Sequence, residues 1–198
     1  MTAPIQPFDD KATRAWRAYG RFWSVLLVVL VADQASKAWV RAHIPLYTYN
    51  DPPPIPVIDG FFYFVHVDNT GAAWSMFEHF PRALAALGVA ALAAVYWFRR
   101  ELELRKTFLQ YTFGLLCGGI IGNLVDRIIN GSVVDFLDFH LPGYRYPAFN
   151  VADSGITVGV IIYLAYSFRD WRPWKRAARH NAQQAHADSG NSPSPVSK

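Results

Sequence analysis

The stretch TFLQYTFGLLCGGIIGNLVDR, residues 107–127, decides how the rest of the chain is to be read. Its apolar part, residues 107–125, falls within the roughly 17 to 25 residues that carry a helix across a bilayer core. Gly114, Gly118 and Gly122 recur at every fourth position, with Gly119 beside them, so a neighbouring backbone can approach closely. At its far end Asn123, Asp126 and Arg127 share one helical face. The segment therefore reads as a membrane helix that delivers polar groups to one membrane surface.

Three further windows have the same character: residues 22–40, 83–98 and 151–168. Of the 19 Lys and Arg residues, 14 precede the first window, follow the fourth or lie between the second and third. The two longer connections hold Asp51, Asp59, Asp68, Glu78, Asp135 and Asp138 instead. This predicts four transmembrane helices with both termini cytoplasmic and both longer loops outside. The formal charge of +4 is then topology and not a nucleic-acid footprint. The first window continues into Asp33, Gln34 and Lys37 without a small-residue cleavage site, so it is expected to stay attached. The single cysteine, Cys117, excludes an intramolecular disulfide and reads as a small buried hydrophobe.

The chain divides into a cytoplasmic lead (1–20), a membrane domain (21–170) and a cytoplasmic tail (171–198) whose Ala, Gln, Ser, Pro and Gly composition predicts disorder at its end. No second domain is marked. The β-rich runs at residues 57–67 and 133–140 predict a small extracytoplasmic sheet built from about 57–75 and 132–148.

Several constellations could carry chemistry. Asp33 and Lys37 lie four apart and can pair, as a structural lock or as a substrate contact. Asn69, Thr70 and Gly71 suit either a turn or a clamp on substrate backbone. Asp126 with Arg127 reads as a neutralised pair. A metal held by Asp135, Asp138 and His140 would need ligands from both faces of a strand, so it is disfavoured, with or without His66 and Asp68. Asn150 and Asp153 stand at the N-cap and N3 spacing of a capping box opening the fourth helix. Two carboxylates beside hydrocarbon, Asp135 and Asp153, are functional-site candidates by their cost alone.

Taken in order, Asp33-Gln34-Ala35-Ser36-Lys37, residues 69–75, residues 118–127, Val133-Val134-Asp135-Phe136 and Phe149-Asn150-Val151-Ala152-Asp153 resemble the lipoprotein signal peptidases, the signal peptidase II family. The resemblance covers roughly residues 22–170. It implies a bacterial inner-membrane aspartic endopeptidase, mainly α with four transmembrane helices and a small extracytoplasmic sheet. Such an enzyme cuts prolipoproteins before a diacylglyceryl-modified cysteine, needs no metal or cofactor, and is inhibited by the cyclic peptide globomycin. The catalytic aspartates fall on Asp135 and Asp153. The supporting residues fall on Asp33, Lys37, Asn69, Gly71, Gly119, Asn123, Arg127, Asn150 and Ala152, and Asp126 is added to them. Membrane lipids and lipidated prolipoproteins are the expected partners, and a monomer is expected. The proline-rich outer-loop insertion at residues 51–56 departs from the family pattern.

Two carboxyls sharing a proton can activate water and protonate the leaving nitrogen, with Asp153 expected ionised near its helix N-terminus and Asp135 protonated. One rival is a serine/lysine peptidase using Lys37 with Ser36 or Ser75. The other is a small transporter or proton relay through Asp33, Asp126 and Asp153.

Overall fold

The computed structural model describes residues 18–46, 53–72, 76–78, 80–170 and 181–184. Most of the expected lead and tail, the insertion residues Asp51 and Pro52, and Ser75 lie outside the described residues. Two compact units divide at Ile161 and Ile162. The first holds everything that bears on the site.

Helix α1 spans Gly20–His43 and buries Phe22, Leu26, Val29, Asp33, Lys37 and Val40. Spacings of three and four place these residues on one stripe. Helix α2, Pro81–Trp97, starts with proline in its first turn, where the missing N–H costs nothing, and buries none of its own side chains. Helix α3 is Thr107–Asn130 and helix α4 is Val151–Asp170. Three of the helices are long and apolar enough to cross a membrane, and the 17-residue α2 sits at the lower limit of that length.

The glycines of α3 set the packing. A side chain on Gly114 would meet Val25 and the carbonyl of Phe22, on Gly118 Val29 and the carbonyl of Leu26, and on Gly122 the carboxylate of Asp33. Positions rise together along both helices, so α1 and α3 run parallel, and the chain must cross back between them. That return is α2, which supports reading the short helix as a span. On another face of α3, Gly119 meets the carbonyl of Ala152, while Gly155 and Gly159 meet the carbonyls of Leu115 and Thr112. Here positions fall as others rise, so α4 packs antiparallel to α3.

A four-stranded antiparallel sheet has the order β1 (Ile55–Ile58), β2 (Phe62–Asn69), β3 (Val133–Leu141) and β4 (Tyr144–Arg145). The run expected as one strand near residues 57–67 is thus a hairpin, turning at Asp59-Gly60 with Gly60 at φ 75°. Helix α3 stops at Gly131, whose φ of 74° is left-handed and suits glycine, and β3 begins two residues later. Val40 and Ile44 of the α1 end pack with Val134 and Phe136 of β3, fixing the sheet to the helices.

Candidate active site

Three backbone devices bring Asp135 and Asp153 toward one place. Register pairs Val67 with Asp135 and Asn69 with Val133, so β2 presents Asn69 diagonally to Asp135. An isolated bridge between Leu137 and Phe149 then draws the segment before α4 alongside β3. The carbonyl of Phe149 accepts from Phe136 and Leu137 at 3.0 and 2.8 Å, leaving Asn150 beside Asp135. Finally, Asn150 Oδ1 accepts the N–H of Asp153 at 2.9 Å while Asp153 Oδ2 accepts the N–H of Asn150 at 3.2 Å. This is the reciprocal capping box that the spacing of the two residues predicts.

Each carboxylate oxygen of the two aspartates accepts one hydrogen bond. Asp135 takes one from Asn150 Nδ2 at 2.7 Å on Oδ1 and one from Asn69 Nδ2 at 2.8 Å on Oδ2. Asp153 takes one from Asn123 Nδ2 at 2.7 Å on Oδ1, and the Asn150 N–H on Oδ2. Every one of these amides has its orientation fixed by what its other end accepts. Asn69 Oδ1 accepts the Gly71 N–H at 2.9 Å, Asn150 Oδ1 accepts Asp153 N–H, and Asn123 Oδ1 accepts Lys37 Nζ at 2.9 Å.

Lys37 is fully buried and directs its ammonium to Asp33 at 2.8 Å, Asn123 at 2.9 Å and Asp126 at 2.7 Å. Asp33, also fully buried, uses its other oxygen to accept the Ala152 N–H at 2.9 Å, a second tie on the first turn of α4. The expected Asp33–Lys37 pair is present. Asp126 corrects an expectation: it pairs with Lys37 and Arg41, at 2.7 and 3.0 Å, and not with its neighbour Arg127. Consecutive helical residues diverge by about 100°, so Asp126 faces α1 while Arg127 turns to the loop that follows β2. Arg127 donates to the Gly71 carbonyl at 2.8 Å and pins the turn that holds Asn69. Residues 69–71 therefore form a turn closed by side-chain contacts.

Burial raises Asp135 to about 7, and the nearby charge of Asp153 raises it further within that value; the amides of Asn69 and Asn150 and the charge of Lys37 oppose the shift. Charge counting agrees. Lys37, Arg41 and Arg127 face Asp33, Asp126, Asp135 and Asp153, so three cations and four carboxyls are neutral with one proton among them.

Asp135 and Asp153 line a cavity of about 700 Å³ with Asn69, Asn123 and Arg127. The rest of its lining is mostly apolar, including Leu84, Leu87, Gly88 and Ala91 of α2, with Tyr146, Ser154 and Thr157 as the polar exceptions. The reading of the sequence missed this wall and missed Arg41. Both had a signal: Arg41 extends the spacing Asp33, Lys37 by four more residues, and the α2 residues recur at helical intervals of three and four.

The other candidates lie elsewhere. Asp138 is fully buried and held by Arg145, at 3.0 and 2.7 Å, and by His140 at 3.0 Å, on the strand face opposite Asp135. Ser36 donates to the carbonyl of Asp33 and does not reach Lys37, whose three donors face Asp33, Asn123 and Asp126. Gly119 and Ala152 form the close contact between α3 and α4 described above.

A family model for signal peptidase (SPase) II matches residues 25–169. A lipoprotein signal peptidase of Desulforapulum autotrophicum is 39% identical over 153 residues, covering 75% of this chain and 91% of that protein. One from Shewanella oneidensis is 38% identical over 160 residues, covering 77% and 89%. A solved bacterial membrane enzyme, at 2.3 Å resolution, superposes with a TM-score of 0.70 at 29% identity, covering 77% of this chain and 90% of the other.

Proposed function

Since this chain belongs to the signal peptidase II family, we propose that it cleaves prolipoproteins by an aspartic mechanism in which Asp135 and Asp153 activate water between them. Peptidase activity, lipoprotein processing and membrane residence come with the family.

One observation carries the dyad: four amide hydrogen bonds from three asparagines and one backbone N–H aim the carboxylates of Asp135 and Asp153 into a single cavity. Preorganised donors of this kind need no rearrangement when charge moves. In the resting enzyme Asp135 holds the proton and Asp153 is ionised, a division favoured by the N-terminus of α4 beside Asp153. Asp153 takes a proton from water, and the hydroxyl adds to the scissile carbonyl carbon. Asp135 gives its proton to the departing nitrogen as the C–N bond breaks, and exchange with solvent returns the pair to its starting state.

The apolar walls of the cavity suit a diacylglyceryl cysteine and the adjoining signal-peptide segment, so cleavage falls on the N-terminal side of that cysteine. Globomycin would compete for the same cavity. The orientation follows the basic residues: both termini cytoplasmic, and the sheet and dyad at the outer face of a bacterial inner membrane, with the chain active as a monomer. The supporting roles of Asp33, Lys37, Asn69, Gly71, Gly119, Asn123, Asp126, Arg127, Asn150 and Ala152 are to hold the two carboxyls and the walls in place. A transport role is weaker, because the buried carboxyls form one connected cluster instead of a string through successive depths.

The test uses the purified chain, a precursor peptide with and without its diacylglyceryl group, and a metal chelator. Mass spectrometry should find the modified cysteine as the new N-terminus with chelator present. Cleavage elsewhere, equal cleavage of the unmodified peptide, or abolition by the chelator contradicts the proposal.

A further inference from the structure

The end of α3 remote from the aspartates holds a second cavity, of about 660 Å³, between Tyr19 and the connection that joins α2 to α3. Lys106 and Asp126 are twenty residues apart on or beside one helix, about 30 Å at 1.5 Å per residue, so this cavity cannot take part in cleavage. Four cations line it, Arg99, Arg100, Arg105 and Lys106, against one carboxylate, Glu103.

The connection is built and does not merely pass by. Successive turns close through Glu103 N–H to Arg100, Leu104 N–H to Arg99 and Lys106 N–H to Glu103, at 3.0, 3.1 and 2.8 Å. Leu104 is buried beneath it, and Gln110 Nε2 ties it to the start of α1 by donating to Ala18 at 2.7 Å. Arg99 is spoken for, donating to the Tyr96 carbonyl and lying 4.4 Å over the Tyr96 ring. Lys106 is paired with Glu103 at 2.6 Å. Among the described residues, Arg100 and Arg105 have no carboxylate partner.

Depth identifies the occupant. Tyr96, Trp97 and Phe98, immediately before the connection, are 66%, 77% and 51% exposed, and exposed aromatic residues at a span's end mark the headgroup layer. A cationic cavity at that depth faces lipid phosphates. We propose that it binds the phosphate headgroup of an anionic phospholipid, held chiefly by Arg100 and Arg105.

The experiment uses the full chain in zwitterionic detergent, with phosphatidylglycerol, phosphatidylcholine or inorganic phosphate added and bound adducts counted by native mass spectrometry. Phosphatidylglycerol should bind about tenfold more tightly than phosphatidylcholine, and Arg100→Gln with Arg105→Gln should remove that preference. Glu103→Gln should strengthen phosphatidylglycerol binding, since it removes the one opposing charge of the lining, and it gives an independent reading should the double variant fold poorly. Equal binding of the two lipids, inorganic phosphate binding as tightly as the lipid, or no change in either variant overturns the proposal. Precursor cleavage in detergent should be unaffected by the arginine substitutions, which separates this site from the peptidase reading.

Discussion

Asn150 Nδ2 lies 2.7 Å from Asp135 Oδ1, while the same residue exchanges two hydrogen bonds with Asp153 through its side-chain oxygen and its backbone N–H. A single asparagine thus sets the spacing of both carboxyls and also caps α4. Replacing it with aspartate keeps the cap but turns the donor facing Asp135 into a repelling oxygen. Asn150→Asp should lower cleavage by about 10- to 100-fold, and the extra buried carboxyl facing Asp135 should cost stability even though the cap is kept. Asn150→Ala should additionally lose about 1 kcal/mol of stability with the cap. Initial rates and thermal melts in detergent measure the two effects separately.

The pH profile follows from Asp135. Its carboxyl stands at about 7, against an ordinary 3.8, because of burial first and the charge of Asp153 second. The folded chain therefore holds a proton that the unfolded chain has already lost, and this group's contribution to stability declines as pH rises from about 4 through about 7. Cleavage should fall along the same alkaline limb as Asp135 loses the proton meant for the leaving nitrogen. Asn69→Ala removes a hydrogen bond that lowers Asp135, so its alkaline limb should move to higher pH. A limb unmoved or moved to lower pH would oppose this assignment.

Close helix contact at Gly119 gives a sharper structural test. A methyl group there would run into the carbonyl of Ala152, whereas one on Gly88 would meet Ile120 at 3.6 Å and Leu124 at 3.9 Å, both ordinary contacts. Gly119→Ala should cost about 1–3 kcal/mol and shift α4, and with it Asp153. Gly88→Ala should leave the melt nearly unchanged. Unfolding midpoints of the two variants make the comparison.

Removing the Lys37 ammonium leaves Asp33 buried with hydrogen bonds from Ala152 and Gln34 but no ion pair, and leaves Asp126 with Arg41 alone. Lys37→Met should therefore destabilise by about 3–5 kcal/mol and also release Asn123, so cleavage falls with stability. Ser36→Ala should do neither, because that hydroxyl only returns to its own helix at Asp33. Loss of cleavage in Ser36→Ala with the fold intact would revive serine/lysine chemistry.

Local spacing made much of this site legible. The Asp33–Lys37 pair and the Asn150–Asp153 capping box are separated by four and three residues, so their geometry follows from the helix alone. Four apolar windows became four helices for the same reason. The partner of Asp126 was not legible, because it depends on the depth at which glycines let α1 and α3 interlock, a relationship absent from either helix taken singly. For the cavity's wall on α2 the helical spacing was visible but what it faces was not: a helix that buries none of its side chains looks the same in sequence whether it faces lipid or a groove.

Cleavage of a diacylglyceryl precursor by Asp135→Asn and by Asp153→Asn, each measured beside its melting temperature, tests the central claim most directly. Both variants should melt close to the wild type and release no signal peptide above background. A folded variant of either kind that still cuts at the modified cysteine at a rate near wild type would contradict a mechanism in which the two carboxyls share the work.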